Sequence, residues 1–416
     1  MRASRAAAVV LAATTVLSSA ACSSGSGSAG ADADRVRIGA LLSLSGVYST
    51  LGPAEKKAMT MGVEELNRQG FTVAGRRHTL EIVYADDKSD PATTGVTALR
   101  EMTQAQRLPV VAYGLGSATY APQLKRKPVP MINVLDSSYP SILDLDPHLY
   151  LTRGGSHTYV PGCLAYAKQK LGAKSLGVIT AKGEPYGEGL TELVGLAARA
   201  NGIRIAASAG FPLGATDYGN AVGTVLAAKP DAIYLSSVTG VILPVLKQLR
   251  QAGWTGPVLH SAGVGPDQAR AILGDQFNTL MTDNYDCAGT LPGTSADPAT
   301  VAFAKAYEER WKENPQDLTM WAHDYPFIVA EAMSRAGSTT DPEKINKALP
   351  GIGVPKGTVS GWLPTYTGQL FDERGARTTS EVTAWCPAKQ TVASAMTFDT
   401  KRGELVDPVF AKDACA

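Results

Sequence analysis

The sequence is poor in cysteine and histidine, with five of each in 416 residues. Five cysteines are too few for a small scaffold held together by disulfides. The histidines (His78, His148, His157, His260 and His323) are scattered without metal-ligand spacing, so no metal site is expected. Charge of one sign is missing as well. Lys and Arg total 39 against 38 for Asp and Glu, whereas a nucleic-acid binder would concentrate a basic excess. Long apolar runs are absent. Residues 6–17 form the longest charge-free apolar stretch near the start and fall well short of the ~20 residues that span a bilayer. A P-loop, an H-E-x-x-H pair and a G-x-S-x-G nucleophile elbow are also lacking. These absences argue against an enzyme, and no cofactor is expected.

What is present is enough apolar sequence for a large core. Hydrophobic residues make up 44% and charged residues 19%, which excludes disorder as the main state. The chain is too long for one ordinary domain, and two lobes of roughly 100–200 residues are expected.

Residues 1–21 read as a secretory signal: Arg2 and Arg5, the apolar run, then Ser19-Ala20-Ala21. Cys22 follows directly. This placement resembles a bacterial lipoprotein signal, in which the cysteine becomes the lipidated first residue, although Ser19 stands where leucine is usual. Ordinary secretion with cleavage near Ala21 is the alternative. Residues 22–35 would then be the lipidated Cys22 and a tether rich in Ser, Gly, Ala and Asp. Such a leash would hold the folded body at the outer face of the cell membrane. Loss of Arg2 and Arg5 takes the formal charge from +1 to −1. Cys163, Cys287, Cys386 and Cys415 remain. Export permits disulfides, and four cysteines allow three pairings. Pairing Cys386 with Cys415 would pin the C-terminal tail; buried free thiols are the other reading.

The pattern then alternates strand and helix. Strands are expected at 36–42, 79–86, 109–113 and 129–134, with helices at 53–69 and from Asp90-Pro91 to 102. Asp at the cap and Pro in the first turn mark the second helix start. The pattern resets at 149–155. Helices are expected at 159–171, 187–201, 217–228 and 241–251, interleaved with strands at 175–180, 204–209, 232–236, 257–260 and 279–283. Three more helices (299–311, 322–336, 343–347) precede turns and strands over 362–385. Apolar strands alternating with helices imply a parallel sheet covered on both faces, here built twice.

Particular runs carry a family likeness. Ile38-Gly39-Ala40-Leu41-Leu42-Ser43-Leu44-Ser45-Gly46 resembles the opening strand and loop of the extracytoplasmic solute-binding proteins of ABC importers, branched-chain amino acid type. Gly62-Val63-Glu64-Glu65-Leu66-Asn67, Asp86-Asp87-Lys88-Ser89-Asp90-Pro91-Ala92, Val110-Val111-Ala112-Tyr113-Gly114, Val129-Pro130-Met131-Ile132-Asn133 and Glu184-Pro185-Tyr186-Gly187-Glu188-Gly189 follow in the family's order. The resemblance covers the chain from Val36 onward. It implies an α/β clamshell of two Rossmann-like lobes joined by three hinge crossings. Those crossings would fall at 149–155, at 283–287 and within 362–385. Lobe 1 would comprise 36–152 plus 287–362, and lobe 2 would comprise 153–286 plus 363–416. Cys163 and Cys287 would lie just past hinge strands, so the resemblance implies their pairing. It also implies a monomer that hands a small solute to a membrane permease driven by ATPase subunits. A ligand-sensing receptor of the same fold is the alternative function.

Ligands of open α/β sheets collect beyond the carboxyl ends of the strands. Small residues in Gly114-Leu115-Gly116-Ser117-Ala118-Thr119 would let backbone N–H groups approach a polar head, with hydroxyls from Ser117 and Thr119. Asp136-Ser137-Ser138 resembles the family's second carboxylate-binding loop, with helix capping as the other reading. Tyr186 matches the family's aromatic wall, and Tyr48 could face it. Ser237 and Thr239 follow another strand end. Trp321 and Tyr325 could close one end, or belong to a helix core. One departure is informative. Ala262 stands where amino-acid binders often present an acid to the ligand ammonium, and a buried ammonium needs a countercharge. Either Asp136 supplies it or the ligand has none, so branched-chain amino acids, amides and aromatic acids all stay open.

Overall fold

Successive residues of the first strand, β1 (Asp34–Leu42), divide between two cores: Val36, Ile38, Ala40 and Leu42 face one, and Leu41 the other. A strand buried on both faces belongs in the middle of a sheet. The computed structural model describes residues 34–46, 48–135, 142–288, 292–294, 297–360, 369–371, 375, 379–399 and 402–406. The signal, Cys22, the tether to residue 33, Asp136, Ser137, Ser138 and Cys415 lie outside the described residues.

Around β1 the chain adds β2 (Phe71–Val73), β3 (Arg76–Asp86), β4 (Val111–Tyr113), β5 (Met131–Asn133) and β6 (Leu149–Leu151). The order is β2-β3-β1-β4-β5-β6, parallel except where β2 turns back on β3. One face is covered by the helices Gly52–Gln69, Pro298–Trp311 and Asp317–Ala336, through Ala58, Met59, Tyr307, Trp321 and Tyr325. The other face receives Leu99, Met102, Tyr120 and Leu124.

The second sheet contains β7 (Ser175–Lys182), β8 (Arg204–Pro212), β9 (Ala232–Ser236), β10 (Val258–His260), β11 (Asn284–Asp286), β12 (Thr379–Cys386), β13 (Thr391–Asp399) and β14 (Glu404–Val406). Its order is β14-β13-β12-β11-β10-β9-β7-β8, parallel from β8 to β11 and antiparallel beyond. Period-two alternation is explicit in β9: Ala232 and Tyr234 enter one core, Ile233 and Leu235 the other.

Among the described residues the chain passes between the sheets three times. It leaves β6 for the helix Ser156–Gln169, which packs on the second sheet, and leaves β11 for helices that pack on the first. Leu370 and Phe371 still belong to the first core, and Leu151 donates to the Gly375 carbonyl at 2.9 Å. The third passage therefore follows Gly375 and precedes Thr379, where β12 begins. Cys163 and Cys287 form a disulfide with Cα atoms 5.6 Å apart. Cys386 is also disulfide-bonded.

One expected strand is absent. It is the strand expected at 279–283. Instead Phe277–Leu280 is a helical turn that places Phe277, Leu280 and Met281 in one core. Residues spaced i, i+3 and i+4 share a face only on a helix. Asp283, at φ 51°, then turns the chain into β11. The helices Ser117–Leu124 and Pro266–Leu273, and the pair β13–β14, lack an expected counterpart.

Candidate functional site

The site is assembled from loops at the carboxyl ends of parallel strands. On the second sheet, Glu184 caps the helix Pro185–Ala200: its carboxylate accepts the N–H groups of Tyr186 at 2.9 Å and Gly187 at 2.8 Å. Its Oε2 also accepts the Ser237 hydroxyl at 3.0 Å. The Tyr186 hydroxyl donates to the Ser261 carbonyl at 2.6 Å, and the Thr239 hydroxyl to the Ala262 carbonyl at 2.7 Å. The loops after β7, β9 and β10 are thus laced into one wall, with Tyr186 half-buried on it.

On the first sheet, Gly116 adopts φ 96°, a conformation that costs a residue with a Cβ, and delivers the chain into the helix Ser117–Leu124. Ser117 is buried, its hydroxyl 3.0 Å from that of Tyr113. Thr119 is half-buried. Tyr48 is 41% exposed, with its N–H on Ser89 Oγ. The acidic turn after β3 serves the loop rather than a ligand: Asp86 accepts from the backbones of Leu44, Ser45 and Lys88 and from the Ser45 hydroxyl. Partial burial raises its carboxyl, but these hydrogen bonds prevail and hold it below the usual range.

Tyr325 does not line the site. It is fully buried in the first core, and its hydroxyl donates to the Gly39 carbonyl on β1 at 2.8 Å. Trp321 sits in the same core. The apolar stripe of a helix explains both.

The two sets of loops meet at Arg153, just past β6. Its Nε donates to the Tyr159 hydroxyl at 2.7 Å, Nη1 to the Leu135 carbonyl at 3.3 Å, and Nη2 to the Ala288 carbonyl at 2.9 Å. Nη2 also lies 3.1 Å from Asp317 Oδ2, at the start of a helix on the first sheet. Gly263, from the loop after β10, closes on the same carboxylate: a Cβ there would be 3.2 Å from Asp317 Oδ2. Burial raises the Asp317 carboxyl; Arg153 opposes this and Asp286 adds to it, leaving the group above its ordinary value. The acid beside the Ala262 loop therefore comes from the other sheet's helix, and it is paired with an arginine.

A family model for periplasmic binding proteins matches residues 35–375. The chain belongs to the periplasmic binding protein family. It is 24% identical over 347 residues to a leucine-, isoleucine-, valine-, threonine- and alanine-binding protein of Pseudomonas aeruginosa, covering 82% of this chain and 87% of that one. A branched-chain amino acid transporter substrate-binding protein from Streptococcus pneumoniae, solved with isoleucine, superposes with a TM-score of 0.71 at 20% identity, over 90% of this chain and 100% of that one. A solute-binding protein of an ABC transporter from Rhodopseudomonas palustris, solved with p-hydroxybenzoic acid, gives 0.71 at 19% identity, over 88% and 98%.

Of the expected site residues of this family member, Tyr186, Ser237, Thr239 and Ala262 are brought together, and Ser117, Thr119 and Tyr48 occupy first-sheet loops. Glu184, Arg153 and Asp317 were missed. The sequence signal at Glu184 is the Pro that follows it, which can open a helix. Arg153 stood inside the expected crossing at 149–155. Asp317 had no local signal, because its partner is 164 positions away.

Proposed function

We propose that the protein is the substrate-binding component of an ABC import system, capturing a small amphiphilic solute between two lobes and delivering it to a permease with ATPase subunits. The observation that carries this reading is the convergence of strand-end loops from both sheets on Arg153, which bonds to Leu135, Ala288, Tyr159 and Asp317. Pockets favour such interfaces between lobes. Lobe 1 comprises residues 36–152 and 287 to the third passage, and lobe 2 comprises 153–286 and the chain after that passage. Tyr48, Ser117, Thr119, Asp136, Ser137 and Ser138 meet the solute from lobe 1, and Tyr186, Ser237, Thr239 and Ala262 from lobe 2. The role is capture without turnover: the solute contacts both lobes only in the shut form, so binding selects closure.

The body works outside the cytoplasm, held by a lipidated Cys22 and the tether that precedes β1, with the signal 1–21 removed. No helix among the described residues is long and apolar enough to cross a membrane. The named relatives support two solute classes, branched-chain amino acids and aromatic acids. Thermal-shift screening with isoleucine, leucine, p-hydroxybenzoate and simple amides tests the reading. A solute at 100 times its Kd stabilises by about 2.7 kcal/mol, so one class should raise the Tm by several degrees. Small-angle scattering should show compaction with that class alone. A flat screen together with an unchanged radius of gyration would sink the receptor reading for these classes.

A further inference from the structure

The helix Gly52–Gln69 carries Glu55 in its first turn, where a carboxylate ordinarily gains from the helix dipole in contact with water. Glu55 is instead 1% exposed, and its Oε1 has no hydrogen-bond partner. Asp87, from the turn after β3, is fully buried within its field. Lysines on the same helix turn elsewhere: Lys56 Nζ lies 5.0 Å over the Tyr84 ring, and Lys57 Nζ pairs with Glu313 at 2.8 Å. The helix Asp317–Ala336, packed alongside, turns His323 toward Glu65 rather than Glu55. From the helix Ser117–Leu124, the buried Tyr120 hydroxyl faces Asp87, yet the two make no hydrogen bond of ordinary length and angle.

Two neighbouring carboxylates that are both buried resist ionising together. Burial, with Asp87 beside it, pushes the Glu55 carboxyl up to about 8. The position of this acid gives the shift a consequence. A Cβ on Gly114 would lie 3.2 Å from Glu55 Oε1 and 3.3 Å from Oε2. The carboxyl therefore rests against the start of the Gly114-Leu115-Gly116-Ser117 loop, at the end of β4.

We propose that Glu55 is a positioning residue: as an uncharged acid it supports the Gly114–Ser117 loop and keeps that loop free of negative charge, so that it receives an anionic head group. The proposal deepens the solute-receptor reading and rests on it for the loop's role. An ionised Glu55 would stand one backbone layer away from the solute's own charge and repel it, so solute binding and retention of the Glu55 proton are linked. Burial first, and the neighbouring Asp87 second, set the pH at which the proton is lost.

Two arms test this on the full mature chain. In the ligand-free arm, infrared spectroscopy at pH 7 should show the C=O stretch of a buried carboxylic acid. The band should disappear above about pH 9 and be missing in Glu55→Gln; no such band at pH 7, or the same band in Glu55→Gln, overturns the proposal. In the ligand arm, isoleucine and p-hydroxybenzoate are titrated by calorimetry at pH 7 and pH 9. With a midpoint of about 8, a probe that binds should bind roughly tenfold more weakly at pH 9. Glu55→Gln, which mimics the uncharged acid, should bind like the parent at pH 7 and keep that affinity at pH 9, apart from the probe's own titration. Folded Glu55→Gln with lost binding at pH 7, or with the parent's pH profile, overturns the proposal. If neither probe binds parent or variant, the receptor reading fails for these classes. The linkage to an anionic head falls with it, while the ligand-free arm still decides whether Glu55 holds the proton.

Discussion

Arg153 Nη2 lies 3.1 Å from Asp317 Oδ2 with the two side chains only 7% and 12% exposed. The pair joins the segment just past β6 to a helix start on the first sheet, and the same guanidinium holds Tyr159 on the second. Removing one member leaves an uncompensated buried charge, which costs about 3–5 kcal/mol. Arg153→Ala or Asp317→Ala should lower the unfolding free energy by that order in a denaturant titration. The double change Arg153→Met with Asp317→Leu should recover most of the loss, because desolvation of the charges is then also removed. Equal losses in single and double variants would show that packing, not the ion pair, carries the effect.

The Cys163–Cys287 disulfide links the helix Ser156–Gln169 to the end of β11 across 124 residues. It constrains the unfolded chain, and removing a native disulfide typically costs about 2–5 kcal/mol. Cys163→Ala with Cys287→Ala should lower the Tm correspondingly in calorimetry. Since Cys163 is buried in the second sheet's core, alanine also tests whether the sulfur atoms matter as packing: a Cys163→Val, Cys287→Ala variant should regain part of the loss.

Most of the fold was legible because its signals are local. Val36 to Leu42 or Ala232 to Ser236 can be read from a handful of neighbours, and the reset after β6 follows from a second round of the same alternation. The site was legible only in part. Ser237 and Thr239 are where strand ends put them, and Tyr186 opens a capped helix. Tyr325 misled, since an aromatic on a helix reads the same whether it faces solute or β1, and only the Gly39 carbonyl distinguishes them. The 279–283 segment failed for the related reason that a short apolar run is compatible with either period. Asp317 and Glu55 could not be found at all, because what distinguishes them is a partner or a burial supplied by distant chain.

The wall built by Tyr186, Ser261, Thr239 and Ala262 predicts a graded response. Tyr186→Phe leaves the ring and removes one hydroxyl from the Ser261 carbonyl, a hydrogen bond of 2.6 Å. Leaving an acceptor unpaired costs about 1–3 kcal/mol. Unfolding stability should fall by about 1 kcal/mol, and affinity for any solute found in the screen should change by less than tenfold. Tyr186→Ala removes the flat surface as well and should abolish measurable binding. If Phe and Ala variants bind alike, the ring is not part of the wall.

His323 supplies the clearest pH signature. It is buried between Phe303 and Phe327, with Nδ1 3.1 Å from Asp324 Oδ1 and Nε2 3.7 Å from Glu65 Oε2. Burial alone would lower its pKa, but the hydrogen bonds and charges of Asp324 and Glu65 outweigh it and raise the value above 6.5. A raised histidine contributes stability that is fully present below its unfolded pKa and is lost as pH climbs through the folded one. Glu65 has the opposite sign: His323 holds it below 4.5, so its contribution is present above that value and lost as pH falls through the depressed one. The pair should therefore favour folding most between about pH 4.5 and 6.5. Urea titrations at half-unit steps from pH 5 to 9 should show the parent losing stability above 6.5. Glu55 slopes the same way, since its raised carboxyl weakens the fold from pH 4.5 up to about 8. Asp317, whose carboxyl is also raised, slopes the same way and is kept in every variant, so His323 and Glu55 are separated by difference: His323→Gln should remove one part of the fall near neutrality, and Glu55→Gln a further part. Asp324 must be left intact in this experiment, because it also accepts the backbone N–H groups of Val359 at 2.7 Å and Ser360 at 2.9 Å. A His323→Gln profile that still falls as steeply as the parent in the Glu55→Gln background would show that the imidazole is neutral throughout and that its two carboxylates do not hold the proton.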